Sequence, residues 1–165
     1  MSKTYSLKTV QILPVSLAEA WDFFSRPQNL KDITPANLGF KILSHHHGER
    51  MYAGQIIEYT VKPLLGIPLY WMTEITHVQE GAYFIDEQRY GPYSLWHHQH
   101  HFKPVPQGVE MTDIVHYRIP FWFLGDLANT LLVRNELRKI FAFRFQKAEV
   151  LFGKVEGQQV QVQFY

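Results

Sequence analysis

The sequence predicts an α+β domain in which a curved antiparallel sheet closes on one long C-terminal helix. Three observations carry this. Five or six short strand-like runs follow one another from residue 39 to 119, separated by Gly and Pro punctuation, which implies a meander. One uninterrupted helical stretch follows, from Asp126 to about Phe152, with no Gly or Pro before Gly153. Third, 46% of the 165 residues are hydrophobic, 25 of them aromatic (12 Phe, 9 Tyr, 4 Trp), and 19% are charged. A disordered chain is polar and poor in aromatics, so this one has a well-filled core.

The elements follow in order. Thr4 to Leu13 carries Tyr5, Leu7, Val10, Ile12 and Leu13 and reads as a strand that Pro14 ends. Ser16 with Glu19 has the capping-box spacing, and Leu17, Ala20, Trp21 and Phe24 recur at helical spacing, placing a short helix at about 17–25. Pro27 and Gln28-Asn29 break it, and a second helical turn runs to Ile33. Strand-like runs then lie at about 39–44, 53–62, 68–79, 82–90, 93–103 and 109–119. On the long helix Leu127, Leu131, Val133, Leu137, Ile140, Phe141, Phe145, Leu151 and Phe152 wrap over half the circumference. A six- or seven-stranded sheet with a single covering helix leaves space between the two, so a pocket is expected there. The domain is read as residues 1–153. The tail 154–165, with Val160, Val162 and Phe164 alternating with Gln, either adds an edge strand or frays, fraying being the default of an untethered end.

Charge and composition narrow the function classes. Sixteen basic against 15 acidic residues give a net +1, with no basic run beyond two residues, so no nucleic-acid partner is expected. No run approaches the ~20 apolar residues of a membrane span, and the N-terminus lacks the form of a secretory signal. The expected location is cytoplasmic, without stable membrane insertion. Zero cysteines remove disulfides, thiolate metal sites and thiol nucleophiles, and no cofactor is expected.

The last hairpin carries the chemistry. If Pro104 to Gln107 form a four-residue loop, paired residue numbers sum to 211, and Phe102 faces Val109, His100 faces Met111, His98 faces Asp113 and Trp96 faces Val115. Val109, Met111, Val115 and Tyr117 mark this as the inward face. Leu95, His97, Gln99, His101 and Lys103 then face water with Glu110, Thr112, His116 and Arg118. Trp96, His98, His100 and Asp113 thus sit in an apolar wall, and buried polar groups require partners. Which of Asp86, Glu87, Gln88 and Arg89 joins them depends on the turn at Gly91-Pro92, which sequence leaves open.

Three readings of the wall compete. It is a satisfied structural network, or a polar anchor orienting a mostly apolar guest. The third reading is a metal site, since His98 and His100 lie on one side of a strand about 6.6 Å apart at the backbone, with Asp113 or a carboxylate from 86–87 as third ligand. The first two take precedence and no metal is assigned. A His98–Asp113 pair also suits general-base catalysis. His45-His46-His47, beside Gly48, read as a solvated turn. Arg134, Arg138 and Arg144 either clamp a carboxylate at the cavity mouth or, as the simpler expectation, snorkel to solvent.

Several segments also resemble a known superfamily. They are the run from Leu13 through Trp21 to Phe24, Pro27 to Leu30, Ile33-Thr34-Pro35, Gly54 to Tyr59, Gly66-Ile67-Pro68, Trp71, Phe84 to Gln88 and Gly91-Pro92-Tyr93. Trp96 to Phe102, Met111 to Tyr117, Pro120 and the closing Ile140, Phe141 and Arg144 extend the likeness to about residue 153. The pattern is similar to the SRPBCC superfamily, the START-related, birch-pollen-allergen-like and polyketide cyclase/dehydrase-like helix-grip domains, and within it to a bacterial stand-alone subfamily. The resemblance implies a seven-stranded antiparallel sheet, two short helices and a long C-terminal helix enclosing a hydrophobic cavity. It implies a small hydrophobic partner, such as a lipid, polyketide or quinone-like molecule; a protein partner is left open. The expected lining is Trp71, Trp96, Met111, Val115 and Tyr117, with His98, His100 and Asp113 orienting a polar head. The alternatives are a cyclase or dehydratase with His98 as base and Asp113 as its orienter, or a regulatory protein-interaction module.

Overall fold

A computed structural model describes residues 3–44, 49–62, 66–120 and 132–165. Strand β1 (Tyr5–Leu13) leads into helix α1 (Leu17–Phe24). Ser16 caps that helix, its Oγ accepting from the Glu19 N–H at 3.2 Å, as the capping-box spacing predicts. The chain then makes two 3-10 turns, Pro27–Ile33 and Ala36–Leu38, with Pro27 in the first turn, where its missing N–H costs nothing.

A run of strands follows: β2 (Lys41–Ile42), β3 (Gln55–Val61), β4 (Leu69–Gln79), β5 (Tyr83–Tyr90), β6 (Leu95–Val105) and β7 (Gly108–Arg118). Helix α2 (Arg134–Phe152) and a short strand β8 (Val162–Phe164) complete the chain. The sheet is antiparallel and eight-stranded, in the order β2-β3-β4-β5-β6-β7-β1-β8. This is the α+β helix-grip architecture, with one strand more than expected.

The extra strand is the tail. Instead of fraying, β8 pairs with β1, Leu7 facing Phe164 and Thr9 facing Val162. Two contacts the sequence does not advertise hold it. The Gln158 amide imitates a peptide group, accepting from Ile12 N–H and donating to Ile12 C=O at 2.5 and 3.1 Å. The Phe164 ring lies under the guanidiniums of Arg134 and Arg138, 4.7 and 5.2 Å from its centroid, a cation–π arrangement. Those two arginines therefore lean on β8 and do not line the cavity.

The β6–β7 hairpin differs from expectation in register and agrees in face. Val105 pairs with Gly108 across a two-residue turn, so Pro104 stays within the strand and paired numbers sum to 213. His100 consequently faces Asp113, His98 faces Val115, Phe102 faces Met111 and Trp96 faces Tyr117. Because the sum moved by two, every residue keeps its side of the sheet. Gly108, at φ 136°, permits the turn; a Cβ there would sit 2.1 Å from the Leu13 carbonyl oxygen.

Three apolar clusters flank the space between sheet and helix. Trp21 and Phe24 of α1 pack on Phe84, Phe102 and Met111. Leu7, Val115 and Tyr117 meet Leu137 and Phe141 of α2. Leu38, Val61 and Trp71 form the third, with Tyr59, Tyr93, Trp96 and Ile140 around them. Helix α2 buries a single stripe, Leu137, Phe141, Phe145 and Ala148, at the i, i+4 spacing of one face. Of the wider apolar wrap expected of it, Val133 is buried and Ile140 and Phe152 pack against the clusters, while Leu151 is 43% exposed. Asp126, Leu127 and Leu131, like His45-His46-His47, lie outside the described residues.

Candidate functional site

A cavity of about 170 Å3 lies between the sheet and α2. Its wall is mainly apolar, with Leu30, Ile33, Ile57, Trp71, Ile140 and Phe141 among its residues. A polar patch is formed by Asp86, His98, His100 and Arg144. Each polar member is placed by strand or helix geometry. His98 and His100 are two apart on β6 and so share a face. Asp86 faces His98 across the β5–β6 ladder, and Ile75 on β4. Arg144 lies one turn beyond Ile140 on α2, on its cavity side.

The register at Asp86 is settled by a side chain. Gln88 closes the loop after β5, donating to Tyr93 C=O at 2.5 Å and accepting from Tyr93 N–H at 3.2 Å. Asp86 therefore turns inward and Glu87 and Arg89 outward. The outward pair joins surface contacts, Arg89 to Glu74 at 2.5 Å and Glu87 to His97 Nδ1 at 2.8 Å.

Two carboxylates hold the two imidazoles from opposite ends. Asp113 Oδ1 is 3.2 Å from His98 Nε2 and 2.8 Å from His100 Nδ1. Asp86 Oδ2 is 3.5 Å from His98 Nδ1 and 2.9 Å from His100 Nε2. The His100 Nδ1 contact is close but off the hydrogen-bond direction, leaving that buried nitrogen without a proper bond among the described residues. The rings approach to 3.7 Å between centroids, and Phe84 stacks on His100 at 4.1 Å. His98, His100 and Asp113 are 6%, 5% and 2% exposed, so these contacts operate with little water between them.

Burial and charge move the groups in different directions. Burial pushes His98 down, and the neighbouring His100 adds to that against the pull of Asp86 and Asp113. Burial also disfavours a cationic His100, but the Asp113 and Asp86 carboxylates beside its two nitrogens outweigh it and its pKa rises. Burial alone would raise Asp113; the adjoining His100 and His98 imidazoles and the Arg144 charge hold it well below the carboxylate range instead. Asp86 is likewise held low, against its burial, by His98 and His100. The shifts diverge because the carboxylates outweigh burial at His100 and do not at His98, where the neighbouring ring adds to burial.

These directions set the pH dependence of stability. His100 binds its proton more tightly folded than unfolded, so its contribution is complete below about pH 6.5 and disappears as pH rises through its higher folded value. His98 prefers to be neutral when folded, so stability falls as pH drops from about 6.5 towards its lower folded value. Urea midpoints measured from pH 5 to 9 are expected to peak near pH 6.5. His100→Gln should flatten the alkaline side of that peak and His98→Gln the acid side. A wild-type profile that is level over this range would show that the two rings titrate as in the unfolded chain.

Of the residues expected at the site, Trp71, Trp96, His98 and His100 line the cavity. Asp113 stands behind the two rings, outside the lining. Met111, Val115 and Tyr117 are fully packed beneath α1 and α2 and take no part in the wall. They point inward as expected, but the helices press directly on that part of the sheet and leave no room. The space opens instead over β3, β4 and β5, so Tyr59, Thr73 and Tyr93 join the wall. Burial raises the hydroxyl pKa of both tyrosines, keeping them neutral. Arg144 lines the wall rather than snorkelling away. Its place one helical turn after Ile140 was the available signal.

A general base must reach the proton it takes. His98 Nε2 is hydrogen-bonded to Asp113, whereas its Nδ1 stands 3.5 Å from Asp86 without hydrogen-bond geometry.

No protein-family model and no curated protein matches the sequence. Solved structures do match the fold. A protein from Chromobacterium violaceum superimposes with a TM-score of 0.68 at 14% identity, over 91% of this chain and 99% of its own. The ginseng major latex-like protein 151 from Panax ginseng gives 0.66 at 15% identity, over 90% and 97%. A Thermus thermophilus protein gives 0.64 at 12% identity, over 88% and 94%. At these identities the likeness establishes the architecture, a helix-grip fold of the birch-pollen-allergen-like type. No described helix is long and apolar enough to cross a membrane.

Proposed function

We propose that this protein binds a small, mostly apolar molecule bearing an oxygen-containing head, held between the sheet and α2. One observation carries the reading. The apolar cavity is lined by two residues with buried donors that have no hydrogen-bond partner among the described residues, Trp71 Nε1 and Arg144 Nε. A buried N–H left unpaired costs about 1–3 kcal/mol, and a guest oxygen towards which the indole and guanidinium rotate removes that cost. The apolar wall supplies affinity by burial, and the guanidinium favours an anionic or strongly polarised head.

Size limits the guest. A cavity of about 150 Å3 takes a benzene-sized molecule, so 170 Å3 suits one or two rings rather than a long acyl chain. Quinone-like and small polyketide-like molecules fit this description better than lipids do.

Native mass spectrometry of freshly purified protein, followed by fluorescence titration with 2-naphthoate, tests the proposal. The expected result is an organic adduct, or saturable 2-naphthoate binding at one site per chain, weakened about tenfold by Arg144→Met, roughly 1.4 kcal/mol. A bare chain that also ignores 2-naphthoate at millimolar concentration would overturn it.

A further inference from the structure

We propose that Asp86, His98 and His100 form a binding site for a first-row divalent cation such as Zn2+, with Asp113 as the carboxylate that orients both imidazoles from behind. One oxygen of Asp86 and one nitrogen of each ring lie within 4.8 Å of one another. The two nitrogens on the Asp86 side are His98 Nδ1, 3.5 Å from Oδ2, and His100 Nε2, 2.9 Å from it. Donors bound at about 2.0–2.1 Å to one ion stand about 2.9–3.4 Å apart, whether octahedral or tetrahedral. The two oxygen–nitrogen edges, 3.5 and 2.9 Å, lie close to that range, and with all three donors within 4.8 Å of one another a small rotation of one ring closes the set.

The rear of the site has the form such a centre requires. A metal-bound imidazole usually donates its other N–H to a carboxylate, which fixes ring and tautomer. Here Asp113 faces His98 Nε2 and His100 Nδ1 together. It is buried and outside the cavity wall, whereas Asp86, His98 and His100 line it. Ligands and support are thus sorted by position, with an approach from the cavity.

The hydrogen bonds in place run from His98 Nε2 to Asp113 and from His100 Nε2 to Asp86, while His98 Nδ1 lies 3.5 Å from Asp86 and His100 Nδ1 2.8 Å from Asp113 outside hydrogen-bond geometry. A cation held by Asp86, His98 Nδ1 and His100 Nε2 would take the place of the His100–Asp86 bond and leave each ring one N–H to turn towards Asp113. The two carboxylates balance a dication, and Arg144, which acts on both electrostatically, leaves a net charge suited to an anionic group in a remaining coordination position. Two imidazoles and one carboxylate suit Zn2+, Co2+ or Fe2+ rather than Mg2+ or Ca2+. The proposal needs no organic guest.

The test is a titration of chelator-treated full-length protein with Co2+ alone, read by visible absorption and by the histidine ring NMR signals. One Co2+ per chain is expected, with ligand-field bands and paramagnetically displaced signals for His98 and His100. Asp86→Asn and His100→Gln should abolish the bands. Asp113→Asn should weaken binding about 10–100-fold, and His97→Gln, on the opposite face, should change nothing. The proposal is overturned if millimolar Co2+ leaves the His98 and His100 signals of the wild-type protein in place while shifting only those of outward histidines. That readout does not depend on any variant folding. A protein that takes up Co2+ but not 2-naphthoate would retain the metal site and lose the guest.

Discussion

Asp113→Ala is expected to destabilise the fold by about 3–5 kcal/mol near pH 6, the loss typical of removing one partner from a buried charged pair. The carboxylate is 2% exposed and touches both imidazoles, and Thr9 Oγ1 approaches its Oδ2 at 3.5 Å. Nothing else among the described residues faces His98 Nε2 and His100 Nδ1. Alanine leaves those nitrogens dry, and leaves the charge of His100, whose pKa is raised, opposed by Asp86 alone. Asp113→Asn keeps the shape and an accepting oxygen, so it should lose less. Urea unfolding at pH 6 measures both. A loss under about 1 kcal/mol for the alanine variant would mean that water or a rearranged ring replaces the carboxylate readily.

The second large effect concerns the cavity. Ile140→Trp is expected to reduce 2-naphthoate affinity by at least a hundredfold, about 2.8 kcal/mol. Ile140 lies on α2 and lines the space together with Phe141 and Arg144. It is only half-buried, so an indole can enter the cavity without displacing packed backbone. The expected cost in stability is about 1–3 kcal/mol, as for overpacking elsewhere. Fluorescence titration gives the affinity, and a thermal melt shows whether the variant is folded. A folded Ile140→Trp that binds 2-naphthoate as tightly as wild type would place the guest outside the sheet–helix space. Asp113→Ala is a stability experiment and Ile140→Trp an occupancy experiment, so their outcomes separate a structural polar network from a ligand cavity.

Much of the fold and part of the site are legible in the amino-acid sequence. The Ser16–Glu19 cap, the meander and the long helix rest on local rules, namely capping, period-two alternation and the absence of Gly and Pro from 126 to 152. Even the inward face of β6 and β7 was legible. Which side a strand residue takes depends on parity alone, and parity survived a register two residues away from the expected one. His98, His100 and Asp113 therefore met as anticipated, though the residue directly opposite Asp113 is His100.

What local rules did not reach is non-local. The turn at Pro106-Gln107 depends on how Gly108 passes the Leu13 carbonyl, a contact between segments 95 residues apart. Asp86 turns inward because the Gln88 side chain closes a loop, and the tail forms β8 because Gln158 and Phe164 find Ile12, Arg134 and Arg138. The cavity is what packing leaves over, so no periodicity announces that Met111, Val115 and Tyr117 are covered while Tyr59, Tyr93 and Arg144 border open space. The chemistry of the inward wall was therefore written in alternating residues along two strands. Its partners, its open side and its capacity for a guest or a cation came from where the helix settled, since free volume and cross-strand register depend on many contacts at once.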